Sequence, residues 1–131
     1  MRKVFVAASL AVVVLSGVHP SHAAVSAVVA GPGNSASSTY TTPVAVLAKA
    51  GPMNFVNVDI EEHNVVASTA AGSRTGRPWC PATGFCPLFW SAVISTGGTT
   101  PILGLSNVAQ GSSYEFLCVV HPNMKGTIVV V

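Results

Sequence analysis

The chain has 131 residues, a formal charge of +2 at neutral pH and only 8% charged side chains. This length is typical of a single domain. So small a positive charge gives no basis for nucleic-acid binding, which needs a clustered basic surface. Many Val, Ala, Thr and Ser residues, with frequent Gly and Pro, favour an all-β domain over a helical one.

The first 23 residues have the three parts of a secretory signal peptide. Arg2 and Lys3 form a positive start, residues 4–15 are almost wholly apolar, and residues 21–23 offer a small-x-small cleavage site. The apolar run is short for a membrane span, and nothing comparable follows it. We therefore expect an exported protein of bacterial type, periplasmic, cell-surface or secreted, with no membrane span in the mature chain.

Removal of the signal peptide changes the counts of charge and of histidine. Lys and Arg fall from six to four, against four Asp and Glu, so the formal charge becomes zero. Of the four histidines, His63 and His121 remain. The mature chain, residues 24–131, is long enough for one modest core, and we expect a monomer that binds no nucleic acid.

Short extended segments separated by turns follow one another along the mature chain. The Gly/Ser-rich stretch near the start makes residues 24–39 a candidate for a loose N-terminal segment. Later segments combine β-prone residues with alternation of apolar and polar side chains. The strand candidates are residues 25–30, 43–52, 54–60, 88–95, 114–118 and 126–131, and a further extended segment begins at residues 65 and 66. Strands at these intervals predict a β-sandwich or barrel.

Residues 72–87 are crowded with Gly and Pro and indicate a long loop insertion. The loop contains Cys80 and Cys86, and in an oxidising compartment their simplest fate is a disulfide. Closing so small a loop contributes about 2 kcal/mol when the stabilisation is treated as lost chain entropy. Cys118 is then left unpaired in an exported protein, which requires an explanation.

Cys118 is followed by two further soft or borderline donors. His121 and Met124 come at intervals of three residues, in a segment whose Pro122 and Gly126 indicate a loop. Together with His63 they supply two imidazoles, a thiolate and a thioether. A trigonal set of two imidazoles and a thiolate with a weak axial methionine describes type 1 copper. The four side chains are therefore candidate ligands of one mononuclear copper site.

Other interpretations of these residues remain open. Zinc could use the cysteine and both histidines, although thioether is not among its usual ligands. A Cys/His nucleophile pair is possible, but no oxyanion-hole motif or third orienting residue is evident. The thiol and the thioether could also pack in the core as hydrophobes.

Glu61 and Glu62 raise the question of general acid/base catalysis, for which paired carboxylates are suited. Adjacent residues in a strand point to opposite faces. The pair therefore favours a solvated strand end, and we expect no enzymatic activity.

The segment YEFLCVVHPNMKGTIVVV resembles the copper loop of the plastocyanin/azurin family, the cupredoxins. Its Cys-x2-His-x2-Met spacing is most similar to that of the amicyanins, which have a short ligand loop. The segment YTTPVAVLAKAGPMNFVNVDIEEHNVV resembles the strand–turn–strand that carries the first histidine of the family. The similarity covers roughly residues 38–68 and 88–131.

This resemblance implies an eight-stranded Greek-key β-sandwich with copper near one end. It implies that His63, Cys118 and His121 are the equatorial ligands and Met124 the axial one. It also implies that Asn64 ties the two ligand loops together by hydrogen bonds, which fix ligand geometry.

The resemblance further implies a one-electron carrier whose transient redox partners dock near His121. A protein for copper carriage or sequestration outside the cytoplasmic membrane would use the same four ligands. A third, purely structural interpretation assigns no metal to Cys118. The insertion at residues 72–87 departs from the compact family pattern, and bears on partner docking more than on the copper site.

Overall fold

The computed structural model describes residues 26–49, 51–69 and 86–131. The predicted signal peptide, residues 1–23, lies outside these ranges, as do Cys80 and most of the insertion at 72–87. The signal peptide and the Cys80–Cys86 disulfide therefore stay predictions. Within the described ranges, no helix has the length and apolar character needed to cross a bilayer.

Two β-sheets pack against each other, with seven strands in the described part of the chain. One sheet has the strand order β1-β3-β5 and the other β2-β7-β6-β4. The strands are β1 (Ala27–Ala30), β2 (Thr39–Leu47), β3 (Asn54–Asn57), β4 (Val66–Ala67), β5 (Thr99–Pro101), β6 (Ser113–Leu117) and β7 (Lys125–Val130). The predicted all-β sandwich is confirmed, with seven described strands where eight were expected.

Both sheets mix parallel and antiparallel neighbours. β1 pairs with β3 and β2 with β7 in parallel, whereas β3–β5, β4–β6 and β6–β7 are antiparallel. The β6–β7 pair is a hairpin in which Phe116 lies opposite Gly126. Its connecting loop contains Cys118, His121 and Met124, so the pairing brings both ends of that loop together.

Alternating side chains of the strands form the core between the sheets. Phe55 of β3, Phe116 of β6 and Ile128 of β7 are all fully buried. Tyr40 of β2 contacts the rings of Phe55 and Phe116 edge-on, at centroid distances of 6.4 and 4.9 Å. Such edge-to-face pairs add to the stabilisation that burial provides.

The segment predicted as a strand at residues 88–95 is not one, and this prediction was wrong. Its backbone forms isolated bridges to successive partners: Trp90 pairs with Val66 and Leu103, and Ile94 pairs with His63. The β-prone composition is real, but the hydrogen-bond partners change from residue to residue. The Ile94 bridge holds the backbone of a candidate ligand.

The N-terminal segment contains regular secondary structure, including a strand where residues 25–30 were predicted to form one. Residues 26–39 include β1 and a four-residue helix, α1 (Asn34–Ser37). The buried Asn34 side chain accepts hydrogen bonds from the backbone N–H groups of Gly31 and Thr41, and the Asp59 carboxylate accepts them from Gly33 and Asn34. Buried polar side chains thus satisfy the amides of a Gly-rich turn.

Candidate metal centre

Two loops at one end of the sandwich supply the candidate ligands. His63 follows β3, and its backbone N–H and C=O both bond to Ile94, at 3.2 and 3.0 Å. Cys118 directly follows β6, and its N–H donates to the carbonyl of Met124 at 3.1 Å. The N–H of Met124 donates in turn to the carbonyl of His121 at 2.8 Å. Backbone hydrogen bonds therefore hold both loops.

Three donor atoms converge between these loops. The Nδ1 atoms of His63 and His121 lie 3.2 Å apart, and the Sγ of Cys118 lies 3.7 and 3.8 Å from them. The centre of a triangle with these sides lies about 2.1 Å from each corner, close to the ~2.0–2.3 Å bonds that imidazole nitrogen and thiolate form with zinc. A first-row transition-metal ion therefore fits between the three atoms.

The opposite nitrogens of both rings face carboxylates. The Nε2 of His63 lies 2.9 Å from Oδ2 of Asp59, and the Nε2 of His121 lies 2.7 Å from Oε2 of Glu61. A carboxylate accepts hydrogen bonds, so each Nε2 carries a proton in its neutral ring and each Nδ1 presents a lone pair. Two lone pairs facing each other beside a sulfur repel unless a cation lies between them.

The candidate ligands differ in burial, since three are fully buried and one reaches the surface. His63, Cys118 and Met124 have no exposed surface, whereas the His121 side chain is 23% exposed. Among the described residues, Cys118 is the free cysteine. The donor atoms of the Cys118 thiol and of both imidazoles thus lie close together, and Met124 is buried in the same loop as Cys118 and His121.

Asn64 makes a contact of the kind that the resemblance implied. Its Oδ1 accepts a hydrogen bond from the backbone N–H of Val119 at 2.9 Å, next to Cys118. Its backbone carbonyl accepts another from the buried hydroxyl of Tyr40. Burial raises the pKa of Tyr40, so this phenol remains a hydrogen-bond donor at neutral pH.

Sequence reasoning assigned no function to Asp59, and it placed Glu61 at a solvated strand end. Asp59 is only 1% exposed, and its carboxylate accepts hydrogen bonds from His63 and from backbone amides. Burial alone raises the pKa of Asp59, but the bonds from His63, Gly33 and Ile60 outweigh it and lower the pKa to about 2. Glu61 is half-exposed, as expected of a strand end, yet it pairs with His121.

The two carboxylates lie close to His63 in the sequence, but this spacing does not identify their partners. In the segment DIEEH, Asp59 and Glu61 precede His63 by four and two residues. Neither spacing predicts which ring each carboxylate meets, because Glu61 contacts the histidine of the other loop.

No protein-family model matches the chain, and no curated protein matches it. Among solved structures, it is similar to a purple cupredoxin from Nitrosopumilus maritimus, with 17% identity, a TM-score of 0.57 and coverage of 80% of this chain and 98% of that one. It is also similar to amicyanin from Paracoccus versutus, with 18% identity, a TM-score of 0.54 and coverage of 83% of both chains. A reduced amicyanin mutant has 19% identity, a TM-score of 0.54 and coverage of 80% of both chains.

These likenesses define the class of fold. The chain has the cupredoxin fold, and the resemblance seen in its ligand loop is confirmed at that level. Its structural neighbours include amicyanins.

Proposed function

We propose that this protein is an exported type 1 copper protein that carries single electrons. The observation that carries the proposal is the convergence of two imidazole Nδ1 atoms and a thiol sulfur within 3.2–3.8 Å. Each imidazole is oriented by a carboxylate on its far side. This set of donors matches the trigonal plane of a type 1 site.

The chemistry of the donors favours copper over zinc. Met124 is buried in the ligand loop, and its thioether is a copper donor that zinc sites rarely use. We propose His63, Cys118 and His121 as equatorial ligands and Met124 as the axial one. Asn64 fixes the distance between the two loops through its bond to Val119.

Bound copper supplies a one-electron couple between Cu(I) and Cu(II). The protein's contribution is to hold the donors in one arrangement that suits both states. His63 is pinned by Ile94 and Asp59, and Cys118 is pinned by the Met124 carbonyl. Little movement of these groups means little reorganisation on electron transfer, and the proposed role requires no enzymatic step.

His121 is the proposed exit for the electron because it is the ligand that reaches the surface. Val119 and Val120, beside it in the same loop, are 50% and 46% exposed. We propose that redox partners dock there transiently, as such encounters use small interfaces. We also propose that the mature protein is an exported monomer.

Redox cycling with metal analysis tests the proposal. Mature protein loaded with Cu(II) is reduced with ascorbate, reoxidised with ferricyanide and passed through a desalting column after each step. A carrier of electrons keeps one copper per chain and returns to the same spectrum. Binding of Cu(I) alone, with rapid loss of the metal to a chelator, would contradict electron transfer and support copper carriage.

A further inference from the structure

We propose that Asp59 is a buried anionic partner of His63 that lowers the reduction potential of the copper site. The inference rests on the proposed function, because it concerns the charge beside the same site. Asp59 does not itself touch the three donor atoms. It acts through the His63 ring, and is therefore a positioning and tuning residue.

The Asp59 carboxylate is enclosed by donors. Oδ2 accepts from Nε2 of His63 at 2.9 Å and from the N–H of Asn34 at 3.2 Å. Oδ1 accepts from the N–H groups of Gly33 and Ile60 at 3.1 and 2.8 Å. Among the described residues, its ion-pair partner is His63, and no lysine or arginine pairs with it.

A count of charge gives the direction of the effect. A buried site made of Cys118 thiolate, the Asp59 carboxylate and Cu(II) is neutral overall, whereas with Cu(I) it carries one negative charge. Net charge in a buried site is costly, so Asp59 favours the oxidised state. Without that carboxylate the oxidised site carries one positive charge and the reduced site none, which favours Cu(I).

Glu61 provides an internal comparison at similar distance. Its Oε2 lies 2.7 Å from Nε2 of His121, yet its side chain is 49% exposed. Water screens a charge at the surface far more than one in the interior. The buried Asp59 therefore affects the potential more strongly than Glu61 does, although both carboxylates bond to a proposed ligand.

The bond from His63 to Asp59 also selects the atom that binds metal. Because the Nε2–H group donates this hydrogen bond, the lone pair that can bind a metal lies on Nδ1, and the bond also fixes the orientation of the ring. Because the amides of Gly33 and Asn34 hold the carboxylate, the N-terminal segment supports the orientation of a ligand in a different loop.

Spectroelectrochemical titration of copper-loaded variants tests the inference. Asp59→Asn keeps the shape of the side chain and removes its charge. We expect the Cu(I)/Cu(II) ratio of this variant at a fixed applied potential to rise at least about tenfold. A tenfold rise corresponds to an increase of about 59 mV in the reduction potential of a one-electron couple. Asp59→Glu, which keeps the charge, should remain closer to wild type. Glu61→Gln should shift the potential in the same direction by less. Glu115→Gln, which removes a partly exposed carboxylate on β6 that pairs with Lys125 and with neither histidine, is the control.

An Asp59→Asn potential no higher than that of Glu115→Gln would overturn the inference. In Asp59→Asn, the side-chain NH2 group would face the N–H donors that now surround the Asp59 carboxylate, which disfavours folding of the variant. A second measurement therefore uses the wild-type Cu(I) protein. In its NMR spectrum we expect a His63 Nε2–H signal that lies downfield and exchanges slowly with water. An unprotonated or fast-exchanging Nε2 contradicts the inference. Failure of wild type to form a blue site would instead contradict the proposed function.

Discussion

The side-chain carbonyl of Asn64 accepts a hydrogen bond from the backbone N–H of Val119 at 2.9 Å and so joins the two loops that carry the donor atoms. Asn64 follows His63 in one loop, and Val119 follows Cys118 in the other. Together with the pairing of β4 and β6, this bond holds the imidazole and the thiol near each other.

Replacement of Asn64 by alanine should loosen this connection. We expect a loss of about 1 kcal/mol in the free energy of unfolding and a fall of about tenfold in copper affinity. Urea unfolding and competition with a copper chelator measure the two quantities. Asn123→Ala, at an exposed position of the loop that carries Cys118 and His121, is the control for loss of an asparagine side chain near the site. Equal copper affinity in both variants would rule out a role for Asn64 in the site.

Replacement of Tyr40 by phenylalanine should destabilise the fold without removing apolar packing. The buried hydroxyl donates to the Asn64 carbonyl, which would lose its partner. An unsatisfied buried acceptor costs about 1–3 kcal/mol. Thermal and urea unfolding of the metal-free protein check this value. Tyr114→Phe removes a hydroxyl that accepts from Ala109 at an exposed site, and should cost less. The reverse order would contradict the account.

Replacement of Gly126 by alanine should overpack the β6–β7 hairpin. A Cβ at this position would overlap the ring of Phe116, its cross-strand partner. Overpacking a dense core costs about 1–3 kcal/mol. In the double variant with Phe116→Leu, part of that cost should disappear, because the smaller side chain leaves room for the methyl group. A double-mutant cycle measures the coupling, and strictly additive effects would show that the two residues do not clash.

Replacement of Met124 by leucine should keep copper at the site but raise its reduction potential. The three proposed equatorial donors remain, while the proposed weak axial donor, which favours the more highly coordinated Cu(II) state, is lost. Potentiometry and copper analysis of the variant give both quantities. Met53→Leu, a buried methionine of the core, is the control for loss of a thioether elsewhere. An unchanged potential in Met124→Leu would remove Met124 from the proposed ligand set.

The stability that Asp59 provides to the folded protein should be lost at acidic pH. Its pKa is lowered from 3.8 to about 2 in the folded protein, so the folded state binds its proton less readily than the unfolded state does. The contribution is therefore present above about pH 4 and is lost as the pH falls toward 2. The free energies of unfolding of the metal-free wild type and of metal-free Asp59→Asn should differ most near neutral pH and become equal in acid. A difference in the free energy of unfolding that grows as the pH falls would contradict this prediction.

The candidate ligands could be predicted from sequence because their signal is local. Cys118, His121 and Met124 are evenly spaced in one loop, and the predicted cleavage after residue 23 would leave His63 as the one further histidine. The strand pattern predicted the sandwich for a similar reason, since alternation is a property of each strand.

The carboxylates and the segment at residues 88–95 depended on contacts between distant parts of the chain. Asp59 lies on the inward face after β3, where amides of the N-terminal turn meet it. Glu61 reaches a histidine of the opposite loop. Trp90 and Ile94 have strand-like composition but bond to several separate partners. No periodic pattern in the sequence predicts these contacts.

The most direct test of the central claim is the optical and EPR spectrum of the Cu(II)-loaded mature protein, recorded for wild type beside Cys118→Ser. A type 1 site predicts an intense blue absorption from thiolate-to-copper charge transfer and a narrow copper hyperfine splitting in wild type, with both absent in the serine variant. Identical spectra and equal copper affinity in the two proteins would contradict the claim and leave Cys118 as a packed thiol of the core.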